Sequence, residues 1–357
     1  MFYSIQALRA LAALLVVAVH CGYGYEAWVP PGDFMPWYYT HIFGAAGVHL
    51  FFVISGFVIA SQRIEKSVTG ALKFCVNRVS RIVPMYWLCT FAFVAARTFL
   101  DPNHASQYSL ETIWPDLVKS LLFIPREAPP VLGVGWTLNY EMFFYLVFGT
   151  VVVLAGRSVI FAATALACFV AADTLIGERT FGVLAQPIVL EFAIGMLIFK
   201  VYRSAVLQRV APYVFASGLL TLFSTAFWFL PGSASGWSIF FAWGLPSAAT
   251  MLGAVCWESR RPNLLRWRPL TAVGDASYSL YLIHYIAIFG RSNLAATLFL
   301  DTPLIRSSGP QVATFTMVAI LTIIAIAVHR WIEMPLTIAT KGTLARLIFV
   351  PSRPALS

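Results

Sequence analysis

Apolar stretches of roughly 17–25 residues recur from one end of this chain to the other, and each is long enough to cross the hydrocarbon core of a bilayer. Only 11% of the 357 residues are charged, whereas a soluble globular domain carries about a quarter. No segment is both polar enough and long enough to form a separate soluble domain. The sequence therefore predicts an all-α, polytopic membrane helical bundle that forms one domain over residues 1–357, with roughly the last 20 residues as a tail.

We expect about ten membrane spans. The fourth and fifth are separated only by Gly156 and Arg157, which predicts a tight helical hairpin. Two long loops, residues 23–41 and 100–135, are rich in aromatic residues and proline, and we expect short interfacial or re-entrant segments in them. The predicted spans are residues 5–22, 42–61, 82–99, 137–155, 158–176, 183–200, 211–230, 238–257, 276–294 and 311–333.

The distribution of positive charge predicts the orientation. The 24 Lys and Arg residues occur in short clusters between spans, and most of them fall on the side of the N-terminus. The positive-inside rule then places both termini and the tail in the cytoplasm. The same clustering argues against nucleic acid as the reason for the net charge of +9. Five scattered cysteines, with no cluster at metal-ligand spacing, predict neither a disulfide framework nor a metal site.

Ionisable residues inside a span are costly and are therefore candidate functional residues. Arg9 and His20 lie on one face of the first predicted helix, about 16 Å apart along its axis. A neutral imidazole can accept a proton, which suits His20 to a role as general base. Alternatively, Arg9 is a topology anchor and His20 is a hydrogen-bonded structural residue.

Arg78 and Arg81 precede the third predicted span and are three positions apart, so one helical turn places them side by side. Two guanidinium groups at a cytoplasmic membrane edge can bind a phosphate bidentately. The positive-inside rule also places arginines at such an edge, and the pattern alone leaves both interpretations open.

Glu141 lies about 7 Å deeper along the fourth span than Trp136, which marks the outer interface. This depth is close to that of His20, so the carboxylate and the imidazole are predicted to approach each other. A carboxylate can orient an imidazole and stabilise its protonated form. Direct binding of an acceptor hydroxyl and a purely structural role are the alternatives for Glu141.

Five motifs occur in order along the chain: Arg9-x10-His20, FFVISGFVIA (51–60), Arg78-x-x-Arg81 before IVPMYW, WTLNYEMFFY (136–145) and SYSLYLIH (277–284). In this combination the chain resembles the membrane-bound family often called acyltransferase 3, over nearly its whole length. The resemblance implies about ten helices in a bacterial inner membrane. It also implies transfer of an acyl group, commonly acetyl, from cytoplasmic acyl-CoA to a hydroxyl of a surface glycan or lipid-linked sugar, most closely as in the stand-alone members that modify exopolysaccharide.

The resemblance also implies roles for individual residues. His20 matches the family's essential histidine and Arg9 its upstream cation, while Arg78 and Arg81 match the paired arginines on the CoA side. Glu141 matches the acidic residue of the Trp-centred motif. We therefore predict an O-acetyltransferase in which His20, oriented or assisted by Glu141, deprotonates the acceptor. Acetyl-CoA is a co-substrate, and no cofactor is held permanently.

Other polar and aromatic residues complete the predicted site. Three of them, Trp136, Tyr140 and His284, are predicted to contact substrate. Three more intramembrane or near-membrane groups are interpreted as helix–helix hydrogen-bonding partners rather than catalytic residues: His49, Glu191 and Asp275.

The rival hypothesis is a secondary transporter, or a flippase-like protein, in which His20 and Glu141 relay protons. Ten spans suit that class too. Against it, the sequence has no internal repeat and no span interrupted by paired Gly or Pro residues.

Overall fold

The structure, a computed structural model, describes residues 2–26, 42–100, 105–156, 158–177, 182–229, 235–263, 265–289 and 303–349. Within these ranges the regular elements are helices, which confirms the all-α prediction. Two π-helical turns interrupt them, one inside α9 at Phe240–Gly244 and one between α12 and α13 at His329–Glu333. The helices are α1 Tyr3–Glu26, α2 Ala46–Ser61, α3 Val68–Phe99, α4 Leu110–Leu121, α5 Trp136–Ala155, α6 Val159–Ile176, α7 Leu190–Val201, α8 Ala205–Trp228, α9 Gly236–Arg260, α10 Arg268–Asp275, α11 Ser277–Phe289, α12 Pro303–Val328 and α13 Met334–Phe349.

Eight helical segments in the described ranges are long and apolar enough to cross a membrane, and the protein is a multi-pass membrane protein. Two of the predicted spans are shorter helices, α7 with 12 residues and α11 with 13. α7 begins late because Pro187 lacks an amide donor, and the preceding residues form short 3₁₀ turns. The predicted span 276–294 runs beyond Phe289 into residues outside the described ranges.

Two helices extend well beyond the predicted spans. The third predicted span, 82–99, lies inside α3, which begins at Val68, where the Ser67 hydroxyl accepts a hydrogen bond of 2.9 Å from the Gly70 amide and caps the helix. At 32 residues α3 is about 48 Å long, well beyond the hydrocarbon thickness of about 30 Å. At the other end of the chain, the helix continues past residue 333 into α13, which packs on α3. The 16 residues of α13, which include most of the predicted tail, are therefore part of the bundle.

Large apolar side chains face outward on the peripheral helices. Leu154, Leu175, Leu220 and Phe227 are each at least 71% exposed. Exposure of such an apolar surface to water is unfavourable, whereas its contact with lipid tails carries no such cost. The outer surface thus agrees with a protein that is surrounded by hydrocarbon.

Helix α1 is central and packs against α2, α9, α10, α11 and α12. Three of its small residues, Ala10, Ala12 and Ala13, are completely buried, and they allow neighbouring helices to approach closely. The helix that carries Arg9 and His20 is therefore surrounded by other helices rather than by lipid.

Helices α2 and α7 pack closely through two glycines. Gly56, from the FFVISGFVIA motif, lies against the backbone of Phe192, and Gly195 lies against the backbone of Val53. A Cβ atom at either glycine would collide with a carbonyl oxygen of the other helix. Small residues at such a crossing are typical of membrane helices. This crossing fixes the face of α2 on which Ser55 lies.

The predicted hairpin between α5 and α6 is confirmed. Gly156 adopts φ of +70°, a conformation that costs glycine little, and the two helices pack together after it. The loop predicted at 100–135 contains the amphipathic helix α4, which buries Ile113 and Leu117 and exposes Trp114. The tip of the other predicted loop, residues 27–41, and Arg157 lie outside the described residues.

Candidate active site

The N-terminus of α1 is held by a carboxylate from α9. Glu258 accepts hydrogen bonds from the Tyr3 amide (2.8 Å), the Ser4 amide (2.8 Å) and the Ser4 hydroxyl (2.5 Å). First-turn amides have no partner within their own helix, and a carboxylate also interacts favourably with the positive end of the helix dipole. This contact anchors the N-terminal end of α1, the helix that carries Arg9 and His20.

A cavity of about 120 Å³ lies between α1, α2, α3, α5 and α11. It brings together four of the predicted site residues: Arg9, Arg78, Arg81 and Glu141. The rest of its wall is mostly apolar, with several hydroxyl groups. The other lining residues are Val48, Phe51, Phe52, Ile54, Ser55, Val58, Ile59, Ile82, Thr137, Leu138, Tyr145, Ser277, Tyr278 and Tyr281.

Arg78 and Arg81 lie within the long helix α3, ahead of the predicted span 82–99. Arg78 projects between the rings of Phe74 and Tyr145, with its Cζ atom 5.9 Å from each ring centroid. Its Nε atom is buried and has no hydrogen-bond partner. Among the described residues, no carboxylate forms an ion pair with Arg9, Arg78 or Arg81. The cavity therefore holds three cations and the single carboxylate of Glu141.

Glu141 is bound inside this cavity. It accepts a hydrogen bond of 3.0 Å from the Ser55 hydroxyl and another from the Tyr145 hydroxyl, which lies one turn further along α5. Because the Tyr145 ring also contacts Arg78, a chain of contacts links the carboxylate to that guanidinium.

Hydrogen bonds join α5 and α11 at the end of the cavity that Thr137 and Tyr281 line. The Tyr281 hydroxyl donates to the Val134 carbonyl (2.9 Å) and shares a hydrogen bond of 2.8 Å with the Thr137 hydroxyl. Tyr285, one turn beyond Tyr281, lies against Gly133, which precedes Val134. The two helices therefore run antiparallel at this point.

His20 lies beyond this end, in contact with His284. The Nδ1 atom of His20 is 2.8 Å from the Val16 carbonyl and 3.2 Å from the Nε2 atom of His284. The ring centroids are 4.9 Å apart. Phe289 and Tyr285 contact the His20 ring edge-on, at 5.9 and 6.1 Å between centroids. His284 was predicted to contact substrate, and the structure places it against the predicted base.

The predicted approach of His20 to Glu141 is wrong. Glu141 lies one turn after Thr137, on the side of the arginines, about 6 Å along α5. His284 lies three residues from Tyr281 in the opposite direction, about 4.5 Å along α11. Since Thr137 and Tyr281 are in contact, the backbone positions of Glu141 and His284 are about 10 Å apart along the helix axes. His20 and His284 do not line the cavity that contains Glu141. The prediction failed because depth estimated from Trp136 does not show where a side chain points.

The other predicted substrate-binding residues do not line the cavity. The Tyr140 hydroxyl donates a hydrogen bond of 2.6 Å to the Val183 carbonyl, and its ring packs edge-on against Trp136 at 5.8 Å. Trp136 is 38% exposed. These contacts join α5 to the segment before α7, and a role for either residue in substrate binding stays a prediction.

Two of the polar residues interpreted as helix–helix partners pair with each other. His49 Nδ1 is 2.5 Å from Glu191 Oε1, and both side chains are buried in the contact between α2 and α7. Asp275 is the last residue of α10. Its negative charge and that of Glu333 attract the Arg9 guanidinium, whereas the positive charge of Arg81 repels it.

Several residues of the site were missed by sequence reasoning. Ser55, Tyr145, Thr137, Tyr278 and Tyr281 line the cavity, and each lies inside one of the quoted motifs. Motif membership was a usable signal, but hydroxyl groups are common in membrane helices and periodicity alone does not single them out.

Most of the chain matches a known protein family. The sequence profile of a family described as "Acyltransferase domain" matches residues 2–330. The exopolysaccharide production protein ExoZ of Rhizobium meliloti is 32% identical, over 82% of this chain and 89% of that protein. The putative membrane-bound transacylase BcsY of Komagataeibacter xylinus is 26% identical, over 80% of this chain and 72% of that protein. The putative peptidoglycan O-acetyltransferase YrhL of Bacillus subtilis is 24% identical, over 97% of this chain and 56% of that protein. No solved structure is detectably similar.

Proposed function

Since the chain belongs to the acyltransferase 3 family, we propose that it is an O-acetyltransferase that moves acetyl from cytoplasmic acetyl-CoA to a hydroxyl of an exopolysaccharide or its lipid-linked precursor. The acceptor class is suggested by the relative named as an exopolysaccharide production protein. The proposed location is the bacterial inner membrane, with both termini in the cytoplasm. The proposed partners are acetyl-CoA, the glycan and membrane lipids.

The observation that carries the proposal is the cavity lined by Arg9, Arg78 and Arg81, which form no ion pair with the carboxylates of the described residues. Three partly buried cations beside the single carboxylate of the cavity leave an excess of positive charge, which a bound anion would neutralise. The diphosphate and phosphate groups of CoA supply that negative charge, and arginine suits phosphate oxygens because its guanidinium donates bidentately. In the proposed complex these phosphates face the arginines, and the pantetheine arm extends past Tyr281 toward His20.

The proposed chemistry takes place at His20. Its Nδ1 atom lies beside the Val16 carbonyl, an acceptor, so Nδ1 carries the hydrogen and Nε2 is the basic nitrogen in the neutral ring. As the acceptor oxygen attacks the thioester carbonyl, Nε2 takes its proton. The carbon–sulfur bond then breaks, and the same proton passes to the departing thiolate. The products are the O-acetyl glycan and free CoA.

We assign Glu141 to the donor cavity rather than to the base. Its charge offsets part of the repulsion among the three arginines, and its hydrogen bond holds Tyr145 against Arg78. In this proposal Glu141 orients the phosphate-binding arginines.

The test uses the purified full-length protein in lipid nanodiscs with radiolabelled acetyl-CoA and deacetylated exopolysaccharide from the producing strain. We expect label in the polymer with the wild type and none above background with His20→Ala. Cys168→Ala, at an exposed position on α6, serves as the matched control and should match the wild type. Equal transfer by His20→Ala, or absence of both CoA release and label with the wild type, would refute the proposal. Movement of glycan across vesicles without consumption of acetyl-CoA would establish the transporter hypothesis instead.

A further inference from the structure

His20 and His284 form a buried imidazole pair at the contact of α1 with α11. His284 is completely buried, and His20 is partly buried beside it. An imidazole at a fully buried position needs hydrogen-bond partners, because an unsatisfied polar group in an apolar environment is costly. The positions of the two rings show which atoms serve as hydrogen-bond partners of each imidazole.

Each ring is tethered to its own helix through Nδ1. The Nδ1 atom of His284 is 2.9 Å from the Leu280 carbonyl, and the Nδ1 atom of His20 is 2.8 Å from the Val16 carbonyl, four residues earlier in both cases. A carbonyl oxygen only accepts, so both Nδ1 atoms carry hydrogen. The Nε2 atom of neutral His284 therefore has a lone pair, and it lies 3.2 Å from the Nδ1–H group of His20.

The Nδ1–H group of His20 thus has two acceptors, one on its own helix and one on α11. The Val16 carbonyl restrains the ring from its own helix, and the second acceptor adds a restraint from another helix. The direction of Nε2, the proposed base nitrogen, depends on this restraint. When Nε2 takes a proton, the Nδ1–H group of the resulting imidazolium becomes a stronger donor to both acceptors.

The surroundings of His284 argue for a neutral acceptor. The apolar cluster on this side of α1 contains Val17, Leu280, Ile288, Met317 and Leu321. Full burial among such residues makes a positive charge on His284 unfavourable. A proton taken by His20 therefore stays on His20 until the thiolate leaves.

We infer that His284 is the positioning residue for the base, holding the His20 ring through its Nε2 atom so that the His20 Nε2 atom faces the acceptor hydroxyl. This inference rests on the proposed role of His20. It gives His284 an indirect role, in place of the predicted contact with substrate.

The test distinguishes the role of the Nε2 atom of His284 from that of its Nδ1 atom. In His284→Gln the amide reaches the place of Nε2 and keeps an acceptor for His20. In His284→Asn the amide reaches only the place of Nδ1 and keeps the contact with the Leu280 carbonyl. We expect the Asn variant to lose roughly 10- to 100-fold in kcat with KM for acetyl-CoA within about twofold of wild type, because the arginine cavity is unchanged. The Gln variant should keep kcat within about threefold.

Purification yield, thermal stability and binding of CoA are measured for each variant. Should the Asn variant be unstable, His284→Met takes its place, since it fills the buried site without an acceptor of comparable strength. The inference is overturned by wild-type kcat in the Asn or Met variant, or by equal losses of kcat in the Gln and Asn variants. If the wild type transfers acetyl and His20→Ala does not, such results refute only the role of His284. If the wild type transfers nothing, the proposed function itself fails.

Discussion

Replacing Arg78 with Gln tests whether the cavity recognises the phosphates of the donor. Arg78 is chosen because it lines the cavity and forms no ion pair with a carboxylate of the described residues. Gln keeps much of the side-chain volume and removes the charge. A hydrogen bond to a charged group contributes about 1.5–3 kcal/mol net. Since about 1.4 kcal/mol corresponds to a factor of ten, the expected loss of affinity for CoA is roughly 10- to 100-fold.

The assay compares two donors, acetyl-CoA and S-acetylpantetheine, which has the same thioester but no phosphate. The wild type should prefer acetyl-CoA strongly, and Arg78→Gln should lose most of that preference by raising KM for acetyl-CoA alone. Direct binding of CoA should weaken in parallel, while kcat at saturating acetyl-CoA changes little. Arg209→Gln makes the same charge change at an exposed position on α8 and should behave as wild type.

Two results would refute this reasoning. One is an equal rise in KM for both donors, which indicates that Arg78 supports the structure rather than the phosphates. The other is an equal effect of Arg209→Gln, which indicates that overall charge attracts the donor to the membrane surface.

Three further predictions concern stability, measured as the thermal unfolding midpoint of protein in nanodiscs. Gly195→Val should lower it strongly or prevent purification, since the added side chain collides with the α2 backbone, whereas an unchanged midpoint would contradict the close crossing. Glu258→Ala leaves the first-turn amides of α1 without their partner and should cost about 1–3 kcal/mol, and a midpoint equal to wild type would refute the capping role. Glu191→Leu alone breaks a buried pair and should cost about 3–5 kcal/mol, whereas the double variant with His49→Phe should recover much of it. An equal loss of stability in Glu191→Leu and in the double variant would show that breaking the pair is not the cause of the loss.

The helices could be predicted from the sequence because each apolar run is long and continuous. The residues at which the helices begin and end were harder to predict. Ser67 sets the start of α3 through a cap and lies before the predicted span 82–99. Pro187, whose missing donor delays the start of α7, lies inside the predicted span 183–200, where the apolar pattern conceals its effect. The prediction therefore shortened α3 and lengthened α7.

The grouping of the site residues was predictable only in part. Arg9, Arg78 and Arg81 meet in one cavity, in agreement with their shared predicted role on the donor side. The partner of His20 was assigned to Glu141 instead of His284. Helical spacing fixes the relation between residues of one helix, such as Arg9 and His20, but the rotation of α5 and α11 relative to α1 depends on packing that no single-helix pattern records.

The continuity of α1 from Arg9 to His20 restricts how the sequence between them can change. Eleven residues make three full turns and about 20° more, so both side chains face the same side. One inserted residue would turn His20 by about 100° away from His284 and shift it by about 1.5 Å. Three or four inserted residues would nearly restore its direction, but would move it about 5 Å farther from the arginines. Under the proposed function, the register of α1 matches the length of the donor arm to the position of the base, and we expect an insertion in this segment to be tolerated only if the donor changes with it.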